Sequence, residues 1–194
     1  MEKIINMEKE LTEMTLEELW TLFPIFLVPH DKKWEDNYKE IESVLKEILQ
    51  EYSIKRISHI GSTSIKNIYA KDIVDVLIEI DSNEDIEKTA QQIEKNGFYR
   101  MCTENQRISL NKGYTKKGFA KKVYHIHLRY IGDNDELYFR DYMNDHPDIA
   151  KDYEALKLSL WKKYEHNRDA YTNAKTSFIK KWTTVAKEEY GERY

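Results

Sequence analysis

Residues 59–80 read HIGSTSIKNIYAKDIVDVLIEI. They join a Gly-Ser pair, Gly61-Ser62, to an apolar run at 73–80 that carries two carboxylates, Asp75 and Glu79. Branched side chains dominate the run, which reads as the strongest strand in the chain. Side chains alternate along a strand, so Ile73, Asp75, Leu77 and Glu79 share one face and Val74, Val76, Ile78 and Ile80 the other. An acid among buried apolar groups is costly unless it is paired or holds a cation. A glycine lets backbone amides approach a phosphate closely, and the serine hydroxyl beside it adds a donor. The combination is chemically coherent: phosphates on the turn, and a carboxylate-held cation bridging their oxygens.

A second stretch, VYHIHLRYI (123–131), shows the same alternation. His125, His127 and Arg129 share one face; Tyr124, Ile126, Leu128 and Tyr130 share the other. If the two strands are neighbours, the acids face the histidines. Asp75, Glu79, His125 and His127 are then candidates for a divalent-metal or proton-transfer site. The plainer alternative is a solvent-facing sheet surface or a satisfied buried His–Asp pair.

The flanking chain supplies the remaining elements. Thr15 and Glu18 form a capping box ahead of a helix through TLEELWTLF (15–23), which Pro24 ends. IFLV (25–28) reads as a short buried strand. Asp31 caps a helix with Trp34, Tyr38, Ile41, Val44, Leu45, Ile48 and Leu49 on one stripe. KRISHI (55–60) is a strand leading into Gly61. Asp85 starts an amphipathic helix ending at Asn96-Gly97. FYRM (98–101) and RISLNKGY (107–114) read as strands. TKKGFAKK (115–122) reads as a Lys-rich loop, or as a substrate lid hinged at Gly113 and Gly118. From Asp135 the pattern is helical, at about 135–145, 147–164 and 168–189. The expectation is an α+β or mixed α/β protein with one central mixed sheet, flanking helices, and a helical C-terminal region over one face or end of the sheet.

Length and composition set bounds. A chain of 194 residues favours one domain: an N-terminal extension at 1–14, a sheet-containing core at 15–134 and C-terminal helices at 135–190. At 40% hydrophobic and 34% charged it can build a core and stay soluble. The net charge of −4 argues against broad nucleic-acid binding, though not against a local basic pocket. One cysteine, Cys102, precludes an internal disulfide and suits a reducing, cytoplasmic setting. The opening MEKIINMEKE is charged and is no signal peptide, and the apolar run FPIFLVP is too short to span a membrane. Fourteen tyrosines and four tryptophans serve core packing or the contacts of a homo-oligomer.

The stretch at 59–80 resembles the GrpB family, a branch of the polymerase-β-like nucleotidyltransferase superfamily. LEELWTLFPIFLVPHDKKW (16–34), HIHL (125–128), FRDYMNDHPDIAKDYEALK (139–157) and DAYTNAKTSFI (169–179) carry the likeness further, over about 14–182. The resemblance implies a nucleotidyltransferase-like fold in which Gly61 and Ser62 hold the phosphates of a nucleoside triphosphate. Asp75 would be the first ligand of a magnesium ion, and an acceptor hydroxyl would attack the α-phosphorus. It also raises Lys175, on the apolar face of the last helix, as a phosphate partner; the alternative is an ammonium snorkelling to water. Lys71 is a candidate phosphate partner, with an exposed lysine as the default reading, and Arg140 is either an anion-binding group or paired locally with Asp141. His59 is expected to be structural.

The chain departs from the superfamily pattern where a second acid belongs, two residues after Asp75: Leu77 stands there. Glu79 is on the same face but roughly 13 Å along the strand. His125 and His127 would complete a site better suited to zinc or another transition metal than to magnesium. Lys-Pro and Pro-Gly of the family pattern are here Lys71-Asp72 and Lys66-Asn67. Three functions follow: a metal-dependent nucleotidyltransferase acting on an unknown acceptor, with His125 or His127 as ligand or general base; a nucleotide- or anion-binding protein without transfer activity; and a metal-dependent hydrolase built on Asp75, His125 and His127. Fold alone does not choose among them.

Overall fold

In the computed structural model, which describes residues 9–194, five strands form one sheet with helices on both faces. The helices are α1 (Leu16–Leu22), α2 (Lys33–Ile48), α3 (Ile86–Glu94), α4 (Asp135–Asp145), α5 (Pro147–Tyr164) and α6 (Arg168–Tyr190). The strands are β1 (Ile54–Ile60), β2 (Val74–Ile80), β3 (Tyr99–Glu104), β4 (Arg107–Thr115) and β5 (Gly118–Tyr130), in the spatial order β1-β2-β5-β4-β3. Most of the N-terminal extension, residues 1–8, lies outside the described residues. The rest of it holds a short 3₁₀ turn at Leu11–Glu13.

Four helices, α1, α2, α3 and α6, start where side-chain oxygens meet their free N–H groups. Thr15 and Glu18 close the capping box on α1. Asp31 accepts from the Lys33 amide, and Asp85 from the amides of Glu87 and Lys88. Asp72 accepts from the Trp34 indole (2.7 Å) and the Lys33 ammonium (2.9 Å), tying α2 to the approach to β2.

The sheet is mixed. β2 and β5 run parallel, and the other three pairings are antiparallel. The parallel pair sets Asp75 opposite His125 and Leu77 opposite His127. Beneath it, Val74, Val76, Ile78, Ile80, Tyr124, Ile126 and Leu128 pack with Trp34, Ile41, Leu45, Ala90 and Ile93 from α2 and α3. The opposite face carries Asp75, Leu77, Glu79, His125, His127 and Arg129. Above it the helical tail gathers Tyr138, Tyr142, Tyr153, Phe178 and Trp182 into a second core.

Two sequence expectations are corrected. IFLV (25–28) is not a strand of the sheet: Ile25 and Leu27 are buried, but the backbone makes a single bridge, Val28 to Ala70. Pro24 and Pro29 bracket the segment, leaving too short a run for a ladder. TKKGFAKK (115–122) is not a loop or lid. It is the turn of the β4–β5 hairpin and the first residues of β5, with Tyr114 opposite Phe119. Both rings pack against Phe23, with centroids 4.8 and 5.0 Å away, while Lys121 and Lys122 point to solvent.

Glu79 is fully buried. It accepts from the Gly132 amide (3.1 Å) and the Asn134 side chain (2.9 Å), and Arg56 Nε lies 3.4 Å away. The carboxylate thereby anchors the loop between β5 and α4. Glu79→Ala leaves the buried Asn134 side chain without its acceptor and frees the Gly132 amide and the half-buried Arg56, and is expected to cost roughly 1–3 kcal/mol, measured by urea denaturation. A loss below about 1 kcal/mol, the scale of an exposed pair, would show that this anchor matters little.

Candidate functional site

The turn after β1 is shaped by what lies across it. Gly61 has φ +69° and ψ −172°, a region essentially reserved for glycine. A Cβ there would stand 2.9 Å from both Cβ and Cγ of Asp75. The requirement for glycine is therefore steric, since only a residue without a side chain lets the Asp75 carboxylate lie against the turn. The turn closes through Ser64, whose hydroxyl donates to the Gly61 carbonyl at 2.6 Å. His59 lies just before it, stacked on Tyr38 and bonded to Thr63 Oγ1 at 2.9 Å, as expected of a structural residue.

Asp75 Oδ1 lies 3.1 Å from His127 Nε2 and 3.3 Å from His125 Nδ1. One ligand atom from each of the three residues falls within 4.8 Å of the others. Burial alone would raise the Asp75 carboxyl, but the bonds from the two imidazoles outweigh it and hold the group well below the usual carboxylate range. Burial pushes the His125 imidazole down to about 4, against the pull of Asp75 and with help from Arg168 and Lys71. The pair is therefore an ionised carboxylate beside a neutral imidazole. Beyond His125 the network continues: Nε2 meets the Tyr114 hydroxyl at 2.8 Å and Arg168 Nη2 at 3.3 Å, while Arg168 Nη1 donates to Tyr114 at 2.9 Å.

This cluster forms the floor of a cavity of about 690 Å³ between the sheet and the helical tail, a size suited to a small-molecule ligand. Gly61 and Ser62 stand at one side; Lys71, Lys157, Arg168 and Lys175 form the walls; Lys180 and Lys187 are also in the lining. Burial, then the nearby charges of Arg168 and Lys175, push the Lys71 ammonium down to about 7 despite the pull of Asp75. Burial, then Lys175, bring Lys157 to about 7, and burial, opposed by Asp75, brings Lys175 to about 8. Lys157 donates to the Tyr69 carbonyl, and Lys175 stands 4.4 Å from the Tyr171 ring centroid.

The predicted site residues separate into two groups. Gly61, Ser62, Lys71, Asp75, His125, His127 and Lys175 all line this cavity. Glu79 does not: it faces Arg56, Gly132 and Asn134. Arg140 sits behind the turn, donating to the His59 carbonyl (2.9 Å), the Tyr194 hydroxyl (3.1 Å) and Asp141 (2.7 Å). Leu77, where a second acid would stand, is packed with Ile60 and Leu137. Asp135 and Glu136 also line the cavity, with Asp135 paired to Lys187, but among the described residues only the two histidines cluster with Asp75, which does not fit the paired-acid magnesium site that the fold family implies.

Sequence reasoning missed Tyr114, Tyr153, Lys157, Arg168 and Tyr171. Lys157 carried a usable signal, since it follows Tyr153 by one helical turn on a buried face, as Lys175 follows Tyr171. Arg168 carried none: it opens α6 beside its Asn167 cap and reaches the cluster only through the tertiary fold.

The architecture defines an α/β protein of the nucleotidyltransferase fold. Its backbone aligns with the Cid1 poly (U) polymerase in its MgGTP-bound form at a TM-score of 0.50 and 12% identity, over 77% of this chain and 47% of that one, a likeness of fold alone. Residues 24–184 match the family model described as GrpB protein, and the chain belongs to the GrpB family. It is 34% identical over 167 residues to the glutamate-rich protein GrpB of Alkalihalophilus pseudofirmus, covering 80% of this chain and 91% of that protein. The crystal structure of the conserved protein GrpB from Enterococcus faecalis aligns at a TM-score of 0.73 and 30% identity, over 86% of this chain and all of that one. Among the described residues, no helix is long and apolar enough to cross a membrane.

Gly61→Ala tests the seat of Asp75. Backbone strain alone is expected to cost about 1–3 kcal/mol, read from denaturant midpoints. The displaced carboxylate should also alter the His125 and His127 side-chain NMR signals. A variant with unchanged stability and unchanged imidazole signals would contradict the steric role.

Proposed function

We propose that this chain binds a nucleotide through its phosphates, with a nucleoside triphosphate as the ligand class. The observation that supports this most strongly is the convergence of Lys71, Lys157, Arg168 and Lys175 on one cavity beside the Gly61-Ser62 turn. Cations crowd together at a cost in an unliganded protein: burial is the main cause that lowers the three lysines, and the neighbouring cations add to it. A polyanion relieves that cost, and charge-assisted hydrogen bonds to phosphate oxygens are strong. The cavity volume and its apolar lining, including Leu27, Ile73, Phe139, Tyr153 and Tyr171, leave room for the nucleoside. The nucleotidyltransferase fold agrees with this reading.

A second reading, transfer of the nucleotide to an acceptor, is favoured by Asp75. A carboxylate beside a phosphate site repels the ligand unless it serves it, and Asp75 stands within reach of an acceptor hydroxyl lodged in the same cavity. Labelled nucleotide appearing on an acceptor would distinguish transfer from binding.

Calorimetry with ATP tests the binding reading. Lys175→Met and Arg168→Met are each expected to weaken binding by about tenfold or more, the scale of a lost hydrogen bond to a charged group. Lys157→Met should weaken it similarly while raising the denaturation midpoint of the free protein, because a buried ammonium is removed. If ATP and tripolyphosphate both fail to bind the intact chain, the proposal is wrong.

The lysines also set a pH signature. In the free pocket they lose protons between about pH 7 and 8. A bound phosphate favours the protonated forms and raises those values. Binding near pH 8 should therefore take up protons, and affinity should fall as pH rises from about 7 to about 9. Calorimetry in two buffers of different ionisation enthalpy measures the uptake; zero uptake at about pH 8 would contradict the assignment.

A further inference from the structure

The outward nitrogens of the two imidazoles carry information about the floor of the pocket. His125 Nε2 lies 3.3 Å from Arg168 Nη2, and His127 Nδ1 lies 3.5 Å from Arg129 Nη2. A guanidinium nitrogen only donates. Each outward nitrogen is therefore placed as an acceptor, and the ring N–H sits on the inward nitrogen. Those inward nitrogens, His125 Nδ1 and His127 Nε2, are the ones that point at Asp75 Oδ1. The Tyr114 hydroxyl supports the same assignment, since its oxygen accepts a hydrogen bond from Arg168 Nη1 and its O–H is left to donate to His125 Nε2.

A metal-binding histidine has the reverse arrangement. It offers a lone pair to the ion and donates its other N–H to a carboxylate, carbonyl or water. Here ligation through the inward nitrogens would turn both rings' N–H groups toward guanidinium groups. Arg129 cannot readily move aside: it is buried and its Nη1 donates to the carbonyls of Ile108 and Leu128 at 3.3 and 3.0 Å. Charge points the same way. A divalent cation would enter a cavity whose lining holds six side-chain cations, Lys71, Lys157, Arg168, Lys175, Lys180 and Lys187, against the three carboxylates Asp75, Asp135 and Glu136.

We infer that this pocket takes its polyphosphate-bearing ligand without a divalent cation: the wall cations neutralise the phosphates, and Asp75 with His125 and His127 is a fixed hydrogen-bonded floor, not a ligand set for a metal. Magnesium in such a fold bridges phosphate oxygens and offsets their charge. Four side-chain cations around one cavity can supply that offset directly. Asp75 then holds the two rings in one tautomer and keeps β2 and β5 in register beneath the ligand. The inference rests on the phosphate-binding reading above and specifies how that binding is achieved.

The test is calorimetry with inorganic tripolyphosphate on the full chain, stripped of metals with EDTA, in three arms: EDTA present, excess magnesium, and one equivalent of zinc. Binding is expected in EDTA, weaker in magnesium because that ion competes for the ligand, and no tighter in zinc. Asp75→Asn keeps an acceptor for the imidazoles and removes a negative charge, so it should bind tripolyphosphate about threefold tighter or better. A metal ligand would instead lose binding on that substitution. Binding that appears only with magnesium or zinc overturns this inference and leaves the phosphate site standing. No binding in any arm overturns the phosphate site itself.

Discussion

The hydrogen bonds that Asp75 accepts from His125 and His127 across the parallel pair β2–β5 are the constraint on which the rest of the site depends. A carboxylate at this depth needs partners, and the two imidazoles supply them. The demand spreads outward. Asp75 needs space, so the turn before it must carry Gly61. His125 needs its tautomer fixed, so Tyr114 and Arg168 close on its far nitrogen. Arg168 belongs to the first turn of α6, so the helical tail is tied to the sheet through this network.

The same face of the sheet serves two ends. Near the Gly61 turn it is polar and open to a cavity. Farther along β2, Leu77 packs with Ile60 and Leu137, and Glu79 anchors the loop to α4. Acids at positions 75 and 79 look equivalent by alternation, yet one faces a ligand-sized space and the other is buried among its own partners. Among the described residues no second acid joins Asp75 and the two histidines, and the positive charge of the cavity comes from side chains of the approach to β2 and of α5 and α6.

Much of this was legible in residues 59–80 and 123–131, because a period of two assigns faces without knowledge of the fold. That Asp75 and Glu79 share a face of one strand, and His125 and His127 a face of another, followed from spacing. That Asp75 touches the histidines did not, since it requires β2 and β5 to be parallel neighbours across an intervening helix and hairpin. The β4–β5 turn was hidden by composition: Lys116, Lys117, Lys121 and Lys122 masked the inward pair Tyr114 and Phe119. Caps at Thr15, Asp31 and Asp85 announced their helices because they act within one turn. Lys157 and Arg168 lie far from the motif in sequence, and tertiary packing alone brings them to it. The family resemblance reached the correct fold and family, while its magnesium site depended on a second acid that this chain replaces with Leu77.

The protonation of the two imidazoles tests the central claim most directly. Nitrogen-15 NMR of the metal-free chain near neutral pH distinguishes a ring nitrogen that carries a proton from one that does not. The expected result is a neutral His125 protonated at Nδ1, with His127 protonated at Nε2, both unchanged by added zinc. A proton on His125 Nε2 or on His127 Nδ1 alone, or signals that shift when one equivalent of zinc is added, would contradict it.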